Sequence, residues 1–335
     1  MNINNNMIYK LWKEIDNNNV VNVESILSNA DKQNIVLDLN KKKSNGLNPL
    51  ICATGSDVNN SEITKLLLEY ADDHNFILEI NEKDLNCSYP LYLSVANDNI
   101  DNVKLLIDYA NKHNIILPLN EKVEDKYYPL LKAIKENNNE IFKLLMDYAK
   151  EHYITLDIND KCIHGAFPLY YACLNNNIEI INILMNYSNK HKITLDINEK
   201  NEDGLFPILL ACEKDVNNSE IVKLLMDYAD DHNIILKINE KNKNGATPLI
   251  LFISNNNVEA VKLLFDYANK YNIIMDLKES KIGNTINYIN NEIIELIIKN
   301  NSYGILNIEF SKNSILHKKL DCYYENVSFI YSIKW

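Results

Sequence analysis

Six prolines mark a near-constant interval along the chain. Pro49, Pro90, Pro129, Pro168, Pro207 and Pro248 are separated by 41, 39, 39, 39 and 41 residues. A shared pattern surrounds each one, approximately INEKxxxGxxPLxxAxxNNNxEIxKLLxDYAxxHNIxLDIN. Such a period restricts the fold to an array whose units bury their apolar faces against one another. Length alone, 335 residues, would suggest two globular domains; the period overrides that expectation.

Each unit reads as two helices and an extended segment. Proline is pre-organised for the first turn of a helix, so Phe167 to Cys173 predicts a short first helix. Four residues after each of the first five prolines stands a small side chain: Ala53, Ser94, Ala133, Ala172 or Ala211. A small group there lets helices approach closely. A polar turn such as Asn175-Asn176-Asn177 follows, where Asn tolerates left-handed backbone. Ile180, Ile183, Leu184 and Tyr187 then fall on one helical face. After them Ile193, Leu195 and Ile197 alternate with Thr194 and Asp196, the period of a half-buried extended segment. These segments are expected to join a continuous β-ladder along the array. A turn carrying Gly46, Gly165, Gly204 or Gly245 opens several units.

This arrangement resembles the ankyrin repeat, whose pattern is a β-turn, T-P-L-H-x-A and two antiparallel helices. The corresponding stretches are NPLICA, YPLYLS, YPLLKA, FPLYYA, FPILLA and TPLILF, and the resemblance covers roughly residues 7 to 300. It implies a mainly α fold, an α-solenoid of stacked helix-turn-helix repeats joined by hairpin-like turns. The family histidine is missing from every copy, its place taken by Ile51, Tyr92, Leu131, Tyr170, Leu209 and Ile250; the threonine survives only as Thr247. Apolar packing is expected to replace their hydrogen bonds. Each unit is also about six residues longer than the family's usual 33.

The expected organisation is an N-terminal capping repeat over 1–40, six regular repeats over 41–277, a C-terminal capping repeat over 278–300 and a non-repeat tail over 301–335. In the second cap, Gly283-Asn284-Thr285-Ile286 stands where G-x-T-P belongs. DVNNSEI at 57–63 recurs at 215–221, and YADDHN at 70–75 recurs at 228–233, both at an offset of 158 residues. That is the mark of a copied block of four units.

Charge and composition narrow the function. The net charge is −12 and all 34 basic residues are lysine. An acidic chain repels phosphate backbones, and lysine lacks the two-pronged grip of arginine, so no nucleic-acid partner is expected. Cys52, Cys87, Cys162, Cys173, Cys212 and Cys322 form no C-x-x-C pair and read mostly as reduced core thiols. The N-terminus lacks a signal-peptide h-region and no apolar stretch is long enough to cross a membrane. The sequons at Asn59 and Asn326 are therefore expected to stay unglycosylated in a cytoplasmic, monomeric protein without membrane association.

Recurring side chains read as structure. His74, His113, His152, His191 and His232, with Tyr271 in the last place, are too far apart for a metal string and are expected to cap the second helices' last carbonyls. Tyr70, Tyr109, Tyr148, Tyr187, Tyr228 and Tyr267 read as packing between repeats. Asp72-Asp73, Asp230-Asp231 and Lys41-Lys42-Lys43 read as solvated. None of the phosphate-loop, dinucleotide, zinc-protease or nucleophile-elbow patterns sought is present, and no cofactor or metal is expected.

In the family, partners bind the concave surface of turn tips and first helices. The resemblance thus implies a non-enzymatic scaffold for protein–protein interaction. Residues there change from repeat to repeat: Glu124, Asp125 and Tyr127; Ile163 and His164; Glu202, Asp203 and Leu205 at the tips; and Lys135, Glu136, Leu174, Asn175, Glu213 and Lys214 past the first helix. Tyr127, Ile163 and Leu205 are expected to be exposed apolar contacts. One alternative is an adaptor whose tail recruits a second factor, as in a ubiquitin-ligase substrate receptor; an enzyme or small-ligand binder is the other.

Overall fold

The computed structural model describes residues 3–56, 61–212, 218–278 and 289–309, together with Lys318. Glu213, Lys214, residues 57–60 and 215–217 of the paired insertions, the Gly283–Ile286 stretch, Asn326 and Cys322 lie outside these residues. The chain divides into two compact units, Met1–Ile163 and His164–Trp335.

Every register proline is the first residue of a helix. The first unit holds α1 (Ile3–Asp16), α2 (Val20–Lys32), α3 (Pro49–Thr54), α4 (Glu62–Asp73), α5 (Pro90–Ala96), α6 (Ile100–His113), α7 (Pro129–Lys135) and α8 (Asn139–Glu151). The second holds α9 (Pro168–Leu174), α10 (Ile178–His191), α11 (Pro207–Leu210), α12 (Ser219–Asp231), α13 (Pro248–Ser254), α14 (Val258–Tyr271), β1 (Met275–Lys278), α15 (Asn291–Ser302) and β2 (Leu306–Glu309). The fold is an α-solenoid of helix-turn-helix repeats. Within each unit short helices pack on short helices and long on long, in chain order.

The polar turn between the two helices works as its composition predicts. Asp98, Asn137, Asn176 and Asn256 adopt left-handed backbone. The next residue is the N-cap: Asn99, Asn138, Asn177 and Asn257 each accept a hydrogen bond from the backbone N–H three residues on. Each such cap contributes about 1 kcal/mol. Leu106, Leu145, Leu184, Leu225 and Leu264 are fully buried on the second helices.

The extended segments bury alternate residues as expected, with Leu78 and Ile80 inside and Ile77 and Glu79 outside. They do not form a β-ladder. Ile80 N–H donates to Leu78 O at 2.9 Å, and Leu119, Ile197 and Ile238 repeat this bond to Leu117, Leu195 and Leu236. A bond two residues back is a γ-turn, which removes the peptide groups a strand would offer its neighbour. Side chains make the inter-repeat links instead. Asn40 donates from Nδ2 to Ile77 O at 2.9 Å and accepts from Glu79 N–H at 3.0 Å. Asn120 does the same to Thr155 and Asp157, and Asn198 to Ile235 and Lys237. Asn81 and Asn239 make the donating half, to Ile116 and Ile274.

Tyrosine hydroxyls form the second link. Leu37, Leu78 and Leu117 donate backbone N–H groups to Tyr70, Tyr109 and Tyr148 Oη at 3.1, 3.0 and 3.2 Å. In the second unit Leu195 and Leu236 donate to Tyr228 and Tyr267, each at 3.0 Å. The last regular repeat has no such tyrosine after it. There Met275 N–H donates to Ile305 O at 2.8 Å, and β1 pairs in parallel with β2 in the register Met275↔Leu306. The start of the stretch 301–335 thereby takes the place of the tyrosine link at this segment.

Candidate functional site

The tips are tight turns. Lys43 N–H donates to Leu47 O and Gly46 N–H to Lys43 O; the same pair of bonds closes the tips at Asp84–Ser88, Val123–Tyr127, Asn201–Leu205 and Asn242–Ala246. The fourth residue is left-handed in all five, as Gly46, Cys87, Lys126, Gly204 and Gly245. Within the first unit Ile163 N–H donates to Asp125 O; within the second, Glu202 N–H donates to His164 O, both at 3.1 Å. Each of these bonds ties one tip to the next through the backbone.

This geometry separates the expected contact residues. In the first unit Glu124, Asp125 and Glu136 are exposed, and Ile163 is 48% exposed. Tyr127 is not an exposed contact: it is 7% exposed, and Lys135 Nζ lies 4.6 Å from its ring centroid. The Lys135 cation over the ring is one of the contacts that burial brings to it. Lys132 donates to Glu136 at 2.7 Å. In the second unit His164, Glu202 and Asp203 are exposed, while Leu174, Asn175 and Leu205 are half-buried. Lys243 donates to Asp203 at 2.8 Å, and the bond from Lys243 holds the Asp203 carboxyl below its usual range.

The slot of the missing threonine is filled three ways. Asn48 and Thr247 cap the first helix as side-chain acceptors, from Ile51 N–H and Ile250 N–H. Phe167 and Phe206 are buried apolar replacements, as expected. Tyr89 and Tyr128 correct the expectation. Tyr89 donates at 2.8 Å to a carbonyl of the following repeat, with Pro118 O and Glu121 O both in reach. Tyr128 donates to Asp157 O.

Residues expected to be solvated also join the frame. Asp72 accepts from Lys112 at 2.6 Å and lies 2.7 Å from His113 Nε2. Burial alone would raise its carboxyl; the two bonds outweigh that and hold it below the usual range. Asp230 similarly accepts from Lys270 and Tyr271. Their neighbours Asp73 and Asp231 are exposed. Lys43 pairs with Asp16 at 3.0 Å and its Nζ lies 5.5 Å from the Trp12 ring. The five histidines of the ladder each lie against the ring of the tyrosine four residues earlier, with centroids 3.9–4.3 Å apart. His74 and His232 place Nδ1 2.8 Å from that tyrosine's carbonyl, the expected capping contact. Cys87 is an exposed tip residue rather than a core thiol. Cys52 lines a cleft on the first helices with Ile51, Gly55, Leu93, Asp16 and Asp84; burial pushes its thiol up to about 11, so it stays protonated at neutral pH.

Repeated helix pairs stacked through identical joints define a solenoid repeat protein. Residues 113–196 and 191–275 match the family model for ankyrin repeats, so this part of the chain is built of ankyrin repeats. A solved ankyrin repeat domain from Acinetobacter baumannii AYE is 21% identical, with a TM-score of 0.49 over 66% of this chain and 97% of that one. No curated protein matches the sequence. No helix among the described residues is long and apolar enough to cross a membrane.

Proposed function

We propose that this chain is a non-enzymatic scaffold that binds a protein partner through its turn tips and first helices. One contrast carries the reading. Side chains that recur along the array, the tyrosine of the second helix and the asparagine of INEK, make links between repeats. The exposed tip positions are not constant: Glu124 and Asp125 are replaced by Ile163 and His164 in the next repeat, and Glu202 and Asp203 restore the acidic pair. Variation on a fixed frame is how repeat arrays set specificity. Ankyrin repeats generally serve protein interaction, and a net charge of −12 supports a protein partner over nucleic acid.

The adaptor alternative assigns recruitment of a second factor to the stretch 301–335. Within that stretch Leu306–Glu309 pairs with β1.

The test is affinity purification and mass spectrometry with the wild-type chain and with a Glu124→Lys, Asp125→Lys, Ile163→Ser variant. Charge reversal on the second helix, Asp108→Lys with Asp147→Lys, is the control. The partner should be lost from the tip variant and kept by the control. Equal capture by a folded tip variant refutes the assignment.

A further inference from the structure

A second surface of the first unit has the makings of a contact face, independent of the tips. The segments 35–40, 76–81, 115–120 and 154–159 lie side by side, joined by the asparagine and tyrosine links. Their outward positions carry Val36, Ile77 and Ile116, which are 51, 54 and 55% exposed. β-branched residues suit extended backbone, but that does not require apolar ones: Thr155 and Thr194 occupy the same slot. Three consecutive repeats thus expose an aliphatic side chain in a slot that threonine fills in the next two.

Tyr153 adds an independent signal. It is 95% exposed and has φ of 57° at a position held by Asn34, Asn75 and Asn114 in the preceding repeats. Left-handed backbone favours Asn and disfavours a bulky side chain. The ring packs against almost nothing, so folding explains neither its presence nor its strain. Outliers of this kind concentrate at binding sites.

Charge identifies the occupant. The same four segments hold Asp38, Glu79 and Asp157, all exposed, and no basic residue. The lysines that follow are already engaged: Lys42 pairs with Glu82, Lys83 with Glu121 and Lys122 with Asp160. Asp38 and Glu79 form no ion pair among the described residues. In the second unit Ile235 and Ile274 continue the apolar pattern, but Lys237 interrupts the acidic one.

We propose that this face of the first unit binds a basic, extended segment of another protein, with an apolar residue at every third position. Neighbouring helix pairs repeat at 8–10 Å or so. Three residues of polyproline-type backbone advance about 9 Å and return to the same face, so successive apolar groups meet Val36, Ile77 and Ile116. Lysine or arginine between them faces the acidic row and, at the end, the Tyr153 ring.

The probe is a fluorescent (Leu-Lys-Pro)4 peptide titrated with the full chain and followed by anisotropy. Ile77→Ser with Ile116→Ser should weaken binding at least tenfold. Tyr153→Asn should weaken it at least fivefold while leaving the unfolding midpoint equal or higher, which separates contact from folding. (Leu-Glu-Pro)4 and (Ser-Lys-Pro)4 should bind at least tenfold more weakly. The tip variant Glu124→Lys, Asp125→Lys, Ile163→Ser should bind normally, so this face and the tips fail or succeed separately. No binding by the wild-type chain at ~1 mM, equal binding of either control peptide, or wild-type affinity in Tyr153→Asn overturns the proposal.

Discussion

Removing one oxygen atom tests the joint between repeats. In Tyr148→Phe the ring keeps its buried place and its stack on His152, 4.1 Å away. What disappears is the hydroxyl that accepts from Leu117 N–H at 3.2 Å and donates to Ile115 O at 3.1 Å. Leu117 is 1% exposed, so water does not replace the lost acceptor. An orphaned buried N–H costs about 1–3 kcal/mol. Since about 1.4 kcal/mol is a factor of ten, a cost of ~2 kcal/mol lowers protection of the Leu117 amide roughly 30-fold. Native-state hydrogen exchange reads this directly, and avoids assuming that a repeat array unfolds in one step. The Leu78 amide, held by Tyr109 one repeat earlier, is the internal reference and should change less. Leu117 protection within twofold of wild type would refute the joint. So would equal losses at Leu117 and Leu78, which would mean general loosening.

Two further outcomes follow from the same frame. Asp72 is held below the usual carboxylate range in the folded chain, so the folded state binds fewer protons there than the unfolded one. Its contribution is therefore complete above the unfolded value of about 3.9 and is lost as pH falls through the folded value; acid titration of Asp72→Asn should show a shallower loss of first-unit stability below about pH 4. Gly46 has φ of +84°, and an added Cβ would lie 3.1 Å from Asp84 Cα and Leu85 N, whereas at Gly304 it meets nothing within 4 Å. Gly46→Ala should cost about 1–3 kcal/mol by urea denaturation, more than Gly304→Ala; equal costs would remove the close-approach argument.

Helix placement was legible in the sequence because its signals are local. Proline opens the first helices, Asn-Asn-Asn turns and caps, and a 3.6-residue apolar period defines the second helices. The extended segments were legible only by halves. Alternation at Leu78 and Ile80 correctly gives the buried side, but a two-residue period cannot distinguish a strand from a segment folded by γ-turns. The asparagine of INEK was visible as a constant, yet its bond to Ile77 O lies 37 residues away and has no local signature. Charge patterns misled for the same reason. Asp72 and Asp230 look solvated beside a second aspartate, and only the neighbouring repeat brings Lys112 or Lys270 to them. At the tips, Glu124 and Asp125 are exposed as their charge predicts. Tyr127 is buried, and its contact with Lys135, eight residues on, has no signature in the repeat pattern.

The side-chain links have a consequence for how such a chain behaves when crowded. A true ladder of extended segments ends in an open row of peptide groups, a template on which other chains aggregate. Here the γ-turns, asparagine amides and tyrosine hydroxyls occupy many of those groups one repeat at a time. At Met275, where tyrosine runs out, β2 lies along the segment. Inside the array, extended segments are thus stacked with many of their peptide groups already bonded to side chains of the adjoining repeat.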